Sequence, residues 1–359
     1  MLETPERTRI AFPLPYWYVG CRSRELGAQP VARSLFGTPL VLFRGEGGRP
    51  GALLDRCAHR NLPLSVGRVV GPHLECAYHG WQYDTGGVCR RVPALGSPFE
   101  EPTEIGAVHK GRLVPSFPAV EQQGIVWVYG DAERTPAGGP YSFPALDASG
   151  YGSVHYASEV EATLYATLEN MLDVPHTAFL HRGLFRSGPK RSITAIVRRF
   201  GDRVEAEYVG EPRPSGLVGR ILAPRGGTVV HFDRFLLPSI AQVEYRLGDS
   251  HLLITNALTP VDEFRTRFLA VVSFRLPIPK LLVRAVLKPL TQQILRQDAR
   301  FLRLQTDAVR RFGGESYVST DVDVLGPHIW RLLKQAAERP DASPAGAEPE
   351  VEKRVELHV

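Results

Sequence analysis

Residues 55–84 constrain the fold and the chemistry of this chain more than any other stretch, because they contain two short loops that each offer one thiol and one imidazole. Two cysteines and two histidines can hold a [2Fe–2S] cluster, with the cysteines on one iron and the histidines on the other. The same four side chains could instead bind one tetrahedral zinc ion. The stretch therefore predicts a metal centre, of the iron–sulfur or the zinc type. The candidate ligands are Cys57, His59, Cys76 and His79.

Length and composition are those of an ordinary globular protein. The 359 residues are 43% hydrophobic, and this length is enough for two domains. No apolar run is long enough to span a membrane, and the N-terminal sequence MLETPERTRI lacks the apolar core of a secretion signal. There are four cysteines, two of which belong to the candidate metal centre. Together these features favour the reducing cytoplasm.

The net charge of +5 is spread along the chain and comes mainly from arginine. No basic run is interleaved with aromatic residues, so nucleic-acid binding is not expected. Most of these arginines are expected to be solvated surface residues. Five of them lie in or beside the cysteine–histidine loops, where a basic rim could steer an acidic electron donor. They are Arg56, Arg60, Arg68, Arg90 and Arg91.

Turn residues and hydrophobic periodicity divide the chain into five parts. An irregular lead-in covers 1–15, and short strands separated by glycine-containing turns indicate a small antiparallel β domain over 16–131. Proline and glycine mark 132–150 as a linker, and a second domain is expected over 151–338. The Pro/Ala/Glu-rich tail, 339–359, is expected to be disordered.

The second domain contains both helix and strand patterns. Helical periodicity covers 165–181 and 280–312, and Pro289 is expected to kink the second of these helices. Between them, a hairpin is predicted over 191–211 and three or four further strands over 228–277. Strands with helices packed on them are typical of an α+β fold.

A second group of candidate ligands begins with His176 and His181. On an ideal helix, residues five apart point about 140° away from each other. Both histidines can therefore reach one ion only if the helix bulges or ends between them. The alternative is two ordinary histidines near a helix end. A two-histidine site for non-haem Fe(II) also needs a carboxylate.

Asp298 is the preferred carboxylate. Apolar residues share its helix face, where an ionised carboxylate is costly unless it is paired or coordinates a metal. These neighbours are Ile294, Leu295, Phe301 and Leu302. The alternative for Asp298 is a pairing with Arg296 or Arg300. Asp307 is a weaker candidate ligand, since it lies among polar residues near the helix end.

Taken in order, these motifs resemble the Rieske non-haem iron oxygenases, catalytic α subunit, of the vanillate O-demethylase and pheophorbide oxygenase type. The resemblance covers about 17–335 and rests on C-x-H, C-x-x-H-G-W, ENMLDVPHTAFLH and QDARFLRLQ. It implies an N-terminal all-β Rieske [2Fe–2S] domain and a C-terminal helix-grip (START/Bet v 1-like) domain with mononuclear Fe(II). It further implies that the cluster is bound by Cys57, His59, Cys76 and His79, and the iron by His176, His181 and Asp298.

The resemblance also implies roles for two more residues. Asp173, three residues before His176, would link an iron-ligating histidine to a cluster histidine of a neighbouring subunit, and this implies a head-to-tail homotrimer. Asn170 would tune the iron pocket. The chain departs from the family pattern in two places: Gln297 occupies a position that is acidic in many relatives, and the tail has no counterpart.

The implied function is that of a terminal oxygenase. Such an enzyme uses O₂ and electrons from an NAD(P)H-fed reductase, directly or through a ferredoxin, to hydroxylate or demethylate a small aromatic or apolar molecule. The α-only length favours monooxygenation or demethylation over arene dioxygenation. Alternatives are N-oxygenation, desaturation or oxidative cyclisation, and a non-catalytic electron carrier or ligand-binding scaffold. Because Trp81 stands where a hydroxyl could donate to the cluster, a potential at the low end of the Rieske range, about −150 mV, is expected.

Overall fold

The structure is a computed structural model that describes residues 12–95, 111–181, 192–211, 229–339 and 348–358. Tertiary contacts divide the chain into two compact units. The first comprises Leu14–Ser142 and Thr259–Asp262, and the second comprises the rest of the chain. Among the described residues, none of the helices has both the length and the apolar character that crossing a membrane requires.

The described part of the first unit forms three antiparallel sheets of short strands. The strands are β1 (Trp17–Arg22), β2 (Val31–Leu35), β3 (Thr38–Arg44), β4 (Pro50–Leu54), β5 (Arg68–Val70), β6 (His73–Glu75), β7 (Gln82–Tyr83), β8 (Cys89–Arg91), β9 (Ser116–Phe117), β10 (Ala119–Gln122) and β11 (Ile125–Tyr129). Their orders are β1-β11-β10, β2-β3-β4-β9 and β5-β6-β7-β8. The predicted all-β character of the N-terminal part is confirmed.

Strand β3 separates two hydrophobic cores within this unit. Successive side chains of a strand point to opposite faces, so Leu40 and Leu42 enter one core while Val41 and Phe43 enter the other. The core that contains Phe43 also contains both cysteines of the candidate metal loops. The loops are therefore anchored through their thiols on the interior of the unit.

The second unit combines a large antiparallel sheet with helices. The strands are β12 (Gly152–Val160), β13 (Ser192–Arg199), β14 (Arg203–Val209), β15 (Val229–Leu236), β16 (Ile240–Leu247), β17 (Ser250–Asp262), β18 (Arg265–Arg275) and β19 (Val351–His358). The described helices are α1 (Leu164–Leu172), α2 (Pro175–Leu180), α3 (Lys280–Phe312) and α4 (Gly326–Glu338). The sheet order is β12-β18-β17-β16-β15-β14-β13-β19.

Helices α1 and α4 pack against one face of this sheet. Leu168 of α1 and Ile329 of α4 share a core with Val204, one of the alternate buried residues of β14. Leu302 of α3 joins the same core and so fixes the helix that carries Asp298. Helices packed on an antiparallel sheet confirm the predicted α+β fold.

Most predicted elements of the second unit are confirmed. Strands β13 and β14 pair antiparallel from Thr194↔Val209 to Arg199↔Val204, which is the hairpin predicted around Gly201-Asp202. Four strands, β15 to β18, occupy the segment where three or four were expected. Helix α3 covers the predicted residues and contains Pro289.

The prediction of a single helix over 165–181 is wrong. Helix α1 ends at Leu172, Asp173 is extended with ψ 113°, and α2 begins with Pro175. Proline lacks an N–H, and its ring clashes with the carbonyl four residues earlier in a continuous helix, so α1 cannot run through this position. Proline is, however, well suited to the first turn of a new helix.

The prediction of a disordered tail is wrong for residues 351–358. They form β19, which pairs antiparallel with β13 at the edge of the sheet. Val355 and Leu357 enter the core, because apolar and charged residues alternate in VEKRVELH. In the sequence, this alternation is a weaker signal for a strand than the preceding Pro/Ala/Glu-rich composition is for disorder. Residues 340–347 and residue 359 of the predicted tail lie outside the described residues.

Part of the segment predicted as a linker belongs to the first unit. The indole Nε1 of Trp17 donates to the carbonyl of Gly138 at 2.7 Å. The amide of Gln122 donates to the carbonyl of Tyr141 at 3.2 Å. These contacts tie the chain to the first unit as far as Ser142, where the division between the two units falls.

Candidate cluster and iron sites

The two cysteine–histidine loops have the same backbone hydrogen bonds. The N–H of each cysteine donates to the carbonyl five residues later, at 2.8 Å in both loops, and each cysteine carbonyl accepts from the N–H four residues later. The residues in that fourth position, Asn61 and Gly80, have φ values of 62° and 71°. Asparagine and glycine are the residues that adopt this left-handed conformation most readily. The local sequence therefore shapes two matching loops that present Cys57 and Cys76 in the same way.

The cysteines lie inside the unit and the histidines lie towards its surface. Cys57 and Cys76 are free thiols in the hydrophobic core. The ring of His59 is stacked on Trp81, and its centroid is 4.6 Å from that of the exposed His79. The Nδ1 atom of His59 is buried and makes no hydrogen bond. A buried ring nitrogen of this kind fits a metal ligand, with imidazoles outside and thiolates inside as a Rieske-type cluster requires.

No three of these four side chains, all of which the structure describes, bring their donor atoms within 4.8 Å of one another. Donor atoms around a tetrahedral zinc ion lie roughly 3.3–3.8 Å from one another. Among the described residues, one group of three or more candidate ligands has donor atoms all within 4.8 Å, and it does not include the loop residues. Ligands divided between two irons are expected to be farther apart than that.

Tyr83 is a neighbour of the cluster loops that the sequence did not indicate. Its hydroxyl lies 3.2 Å from Sγ of Cys57, and both side chains are buried. Burial, together with the neighbouring Cys57, raises the pKa of Tyr83 above its ordinary value, so the hydroxyl keeps its proton and can donate to a thiolate. The missed signal was a tyrosine only two residues after Trp81, and its side chain joins the same core as the two cysteines.

Tyr83→Phe is expected to lower the reduction potential of the cluster by about 60 mV. This is the effect of losing one hydrogen bond of about 1.4 kcal/mol to a charged sulfur, at 59 mV per tenfold change for one electron. The potential is read from a redox titration of the reduced cluster's EPR signal. Tyr18→Phe, which removes a buried hydroxyl from the other core of the same unit, is the control. An unchanged potential in Tyr83→Phe would show that this hydroxyl does not act on the cluster.

His176 and His181 approach each other because helix α2 ends between them. His176 is the second residue of α2, whereas His181 lies just beyond its last residue with φ −107° and ψ 40°. The two ring centroids are 5.3 Å apart. The helix thus ends between the histidines, which is one of the two arrangements that their spacing allowed.

Asp298 of α3 completes a compact group with the two histidines. Its Oδ1 atom lies 3.0 Å from Nε2 of His181 and 3.9 Å from Nε2 of His176. The three donor atoms all lie within 4.8 Å of one another. Asp298 Oδ1 is buried and, despite this proximity, makes no hydrogen bond of normal geometry. Three donors that converge in this way fit the two-histidine, one-carboxylate set of non-haem iron proteins.

The alternatives for this carboxylate fit less well. Arg296 and Arg300 are exposed on α3, and the ion contacts of Asp298 in the described chain are with the two histidines. Asp307 is half-exposed and lies 4.0 Å from Arg310 instead of near the histidines. One of the apolar neighbours expected beside Asp298, Phe301, is itself 53% exposed. Asp298 is therefore distinguished from Asp307 by its closeness to the two histidines more than by an apolar helix face.

Both histidines are held through Nδ1, which leaves Nε2 directed towards Asp298. His176 Nδ1 lies 2.5 Å from the backbone carbonyl of Asp173, and His181 Nδ1 lies 2.8 Å from Oε1 of Gln297. Because both partners are carbonyl oxygens, each Nδ1 carries the proton. Burial lowers the pKa of His181, but Asp298 and Gln297 outweigh this effect and raise it overall. Gln297 was noticed in the sequence only as a departure from the family pattern.

Asp173 lies at the break between α1 and α2, so it does not share one continuous helix with His176. Its Oδ2 atom accepts the backbone N–H of His176 at 2.9 Å and lies 3.3 Å from the ring Nδ1. The side chain is partly exposed. The carboxylate therefore contacts a candidate iron ligand and also reaches the surface of the unit.

Asn170 lines a cavity of about 440 Å³ that opens beside His176. The wall is mainly apolar and is formed by Glu169, Asn170, His176, Phe179, Leu180, Phe301, Leu302 and Gln305. Glu169 was not indicated by the sequence. Burial, followed by the nearby charge of Asp173, raises the pKa of its carboxyl to about 7. A carboxyl that is about half protonated at neutral pH therefore lies in this wall.

Two protein families match this chain in the order in which its two units occur. Residues 16–118 match the Rieske [2Fe-2S] domain. Residues 160–339, which make up half of the chain, match the vanillate O-demethylase oxygenase C-terminal domain.

Two individual relatives are also named as oxygenases. The chain is 34% identical over 248 residues to the oxygenase component of dicamba O-demethylase from Stenotrophomonas maltophilia, a match that covers 68% of this chain and 61% of that protein. It is 26% identical over 337 residues to the chloroplastic chlorophyllide a oxygenase of Arabidopsis thaliana, covering 91% of this chain and 58% of that protein. The chain thus spans about three fifths of the length of these two relatives.

The fold is also that of a solved structure. The crystal structure of dicamba monooxygenase bound to dicamba superimposes with a TM-score of 0.74 at 24% identity, over 93% of this chain and 100% of that one. At this identity the likeness shows the fold alone. With both family matches in the expected order, the chain belongs to the Rieske non-haem iron oxygenases, and it carries a Rieske [2Fe–2S] domain followed by a vanillate O-demethylase-type oxygenase domain.

Proposed function

We propose that the protein is a terminal oxygenase that uses O₂ and externally supplied electrons to hydroxylate or demethylate a small apolar or aromatic molecule. The observation that carries this proposal is the convergence of Nε2 of His176, Nε2 of His181 and Oδ1 of Asp298 in one chain with a Rieske domain. A cluster without this second site would serve an electron carrier. A second site of this composition is suited to oxygen chemistry.

The geometry of the two sites supports the following metal ligands. Cys57, His59, Cys76 and His79 hold the [2Fe–2S] cluster, and His176, His181 and Asp298 hold a mononuclear iron. When bound, the cluster supplies single electrons and the iron supplies a centre for activating O₂. The chain's own residues orient these ligands through the two Nδ1 hydrogen bonds. Glu169, whose carboxyl has a pKa raised by burial to about 7, can take up or release a proton beside His176 near neutral pH.

The cavity beside His176 supports a small, largely apolar substrate. Its volume of about 440 Å³ lies within the usual range for small-molecule sites. Phe179, Leu180, Phe301 and Leu302 give it an apolar wall that limits the access of water, and Asn170 contributes a polar group for orientation. One matching domain family and one relative are named after O-demethylases, of vanillate and of dicamba, which favours demethylation of an aromatic ether within this class.

We further propose that the working unit is a head-to-tail homotrimer. An aromatic side chain is exposed beside His79 in the first unit, where Tyr78 is 64% exposed and its ring centroid lies 3.9 Å from that of His79. Another is exposed beside His176 in the second unit, where Phe179 is 70% exposed. Contact between these two surfaces on different copies would cover both and bring His79 towards Asp173.

An NAD(P)H-fed reductase, directly or through a ferredoxin, would supply the electrons. The basic rim proposed around the cluster loops is partly neutralised, since Arg68 pairs with Glu75 and Arg90 with Asp84. Arg56 and Arg60 remain on the exposed side of the first loop, where they can attract an acidic donor. We assign this system to the cytoplasm, in agreement with four cysteines that are all free thiols.

Metal content and spectroscopy test the proposal directly. The purified chain is expected to contain about three irons, two in the cluster and one mononuclear, and to give a Rieske-type EPR signal on reduction. With a reductase, NADH and O₂, it should release formaldehyde from simple aromatic methyl ethers such as vanillate. A colourless zinc protein would overturn the oxygenase assignment. About two irons, unchanged after reconstitution with Fe(II), would leave an electron carrier.

A further inference from the structure

We propose that Gln297 is a positioning residue of the iron site, which holds His181 in the metal-binding orientation through a neutral hydrogen bond. This inference rests on the proposed function, because it assumes that His181 binds iron. It goes beyond that function in assigning a role to a residue outside the ligand set.

The hydrogen bond from His181 to Gln297 is partly buried, and its histidine end lies in the interior of the second unit. His181 is 2% exposed, and its Nδ1–H donates to Oε1 of Gln297 at 2.8 Å. An imidazole can bind a metal through Nε2 only while Nδ1 carries the proton, and an acceptor at Nδ1 fixes that tautomer. Gln297 therefore sets both the orientation of the ring and the nitrogen that faces Asp298.

The two histidines depend on different kinds of partner. The Nδ1 of His176 meets the backbone carbonyl of Asp173, an acceptor that no substitution of the side chain removes. The Nδ1 of His181 meets a side chain, and His181 itself lies beyond the end of α2, where helical geometry does not fix its orientation. A side-chain substitution can therefore remove the acceptor that orients His181, but it cannot remove the acceptor that orients His176.

Helix α3 provides both a ligand and the support for another ligand from adjacent positions. Gln297 and Asp298 are about 100° apart around the helix axis, so one side chain contacts Nδ1 of His181 and the next contacts Nε2. The imidazole is held between these two side chains. Since Leu302 anchors α3 in the core, both contacts are supported by the same packed segment.

The acceptor, the side-chain amide of Gln297, is uncharged and so adds no charge to the iron site. A glutamate in place of Gln297 would put a second carboxylate beside Asp298 and would draw the Nδ1 proton more strongly, which makes the ring a better electron donor. The amide gives the same geometry without this additional charge. A carboxylate should therefore replace the amide in holding His181, whereas an apolar side chain should not.

Fe(II) affinity of the full-length chain tests this role without reliance on turnover. Gln297→Leu, which keeps the approximate size and removes the acceptor, is expected to weaken Fe(II) binding about 10- to 100-fold, as when the partner of a metal-ligating histidine is lost. Gln297→Ala should behave in the same way. Gln297→Glu should retain affinity at least equal to that of the wild type. The dissociation constants are measured anaerobically by competition with a chromogenic chelator.

Gln293→Leu is the matched control, because Gln293 is an exposed glutamine one turn earlier on α3. The cluster EPR signal and the circular-dichroism spectrum must be unchanged in every variant, which shows that both units are folded. Wild-type affinity in both Gln297→Leu and Gln297→Ala would overturn the inference. Equal weakening in Gln297→Glu would also overturn it, since loss of packing would then explain the effect. A wild-type chain that binds no mononuclear iron would instead contradict the proposed function.

Discussion

Asp298→Ala is expected to remove the mononuclear iron and abolish product formation while the cluster remains bound. Asp298 supplies the carboxylate oxygen of the group, 3.0 Å from Nε2 of His181. Alanine leaves two neutral imidazoles with no charged ligand, and Fe(II) favours a site that includes a carboxylate. The iron content should fall from about three to about two atoms per chain, with the Rieske-type EPR signal intact.

Asp307→Ala on the same helix is the control for this experiment. Asp307 is 52% exposed and contacts Arg310, so its loss should change neither iron content nor turnover. If Asp298→Ala retained about three irons and full turnover, Asp298 would not be a ligand. If Asp307→Ala lost the iron instead, the alternative carboxylate considered from the sequence would be the correct one.

Asp173→Ala is expected to leave both metals bound and to uncouple oxidation of the cluster from product formation. His176 keeps its contact with the backbone carbonyl of residue 173, so its Nε2 still faces Asp298. What is lost is a partly exposed carboxylate next to an iron ligand, which we propose reaches a cluster histidine of the neighbouring copy. In single-turnover experiments, oxidation of the reduced cluster in the presence of substrate and O₂ should slow about 10- to 100-fold, the range for partners of metal ligands.

Asp173→Asn separates this bridging role from the local role of the same side chain. The asparagine oxygen can still accept the N–H of His176, a bond that measures 2.9 Å in the wild type, but it carries no charge. Full single-turnover yield in Asp173→Ala would contradict bridging. Loss of iron in Asp173→Ala but not in Asp173→Asn would show that the carboxylate serves mainly to hold the start of α2.

The fold class was predictable from the sequence, and so were the candidate ligands that we propose and their order along the chain. Metal coordination needs specific donor atoms at short spacings, and Cys57-x-His59 and Cys76-x-x-His79 show these directly. Alternation in β13 and β14 and helical periodicity in α3 are also local patterns, and both elements were found where expected. Where competing local signals met, the prediction was wrong: Pro175 ended a helix that periodicity would have continued, and the alternation of residues 351–358 went unnoticed beside a Pro/Ala/Glu-rich stretch.

The contacts of residues outside the ligand sets could be known only from the tertiary structure. The hydrogen bond from His181 to Gln297 and that between Tyr83 and Cys57 each join residues far apart in the chain. Such contacts depend on how whole helices and strands pack, and packing is decided by the sum of many weak interactions that no short motif contains. The motifs thus specify which chemistry the chain can support, and the packed fold determines which side chains adjust it.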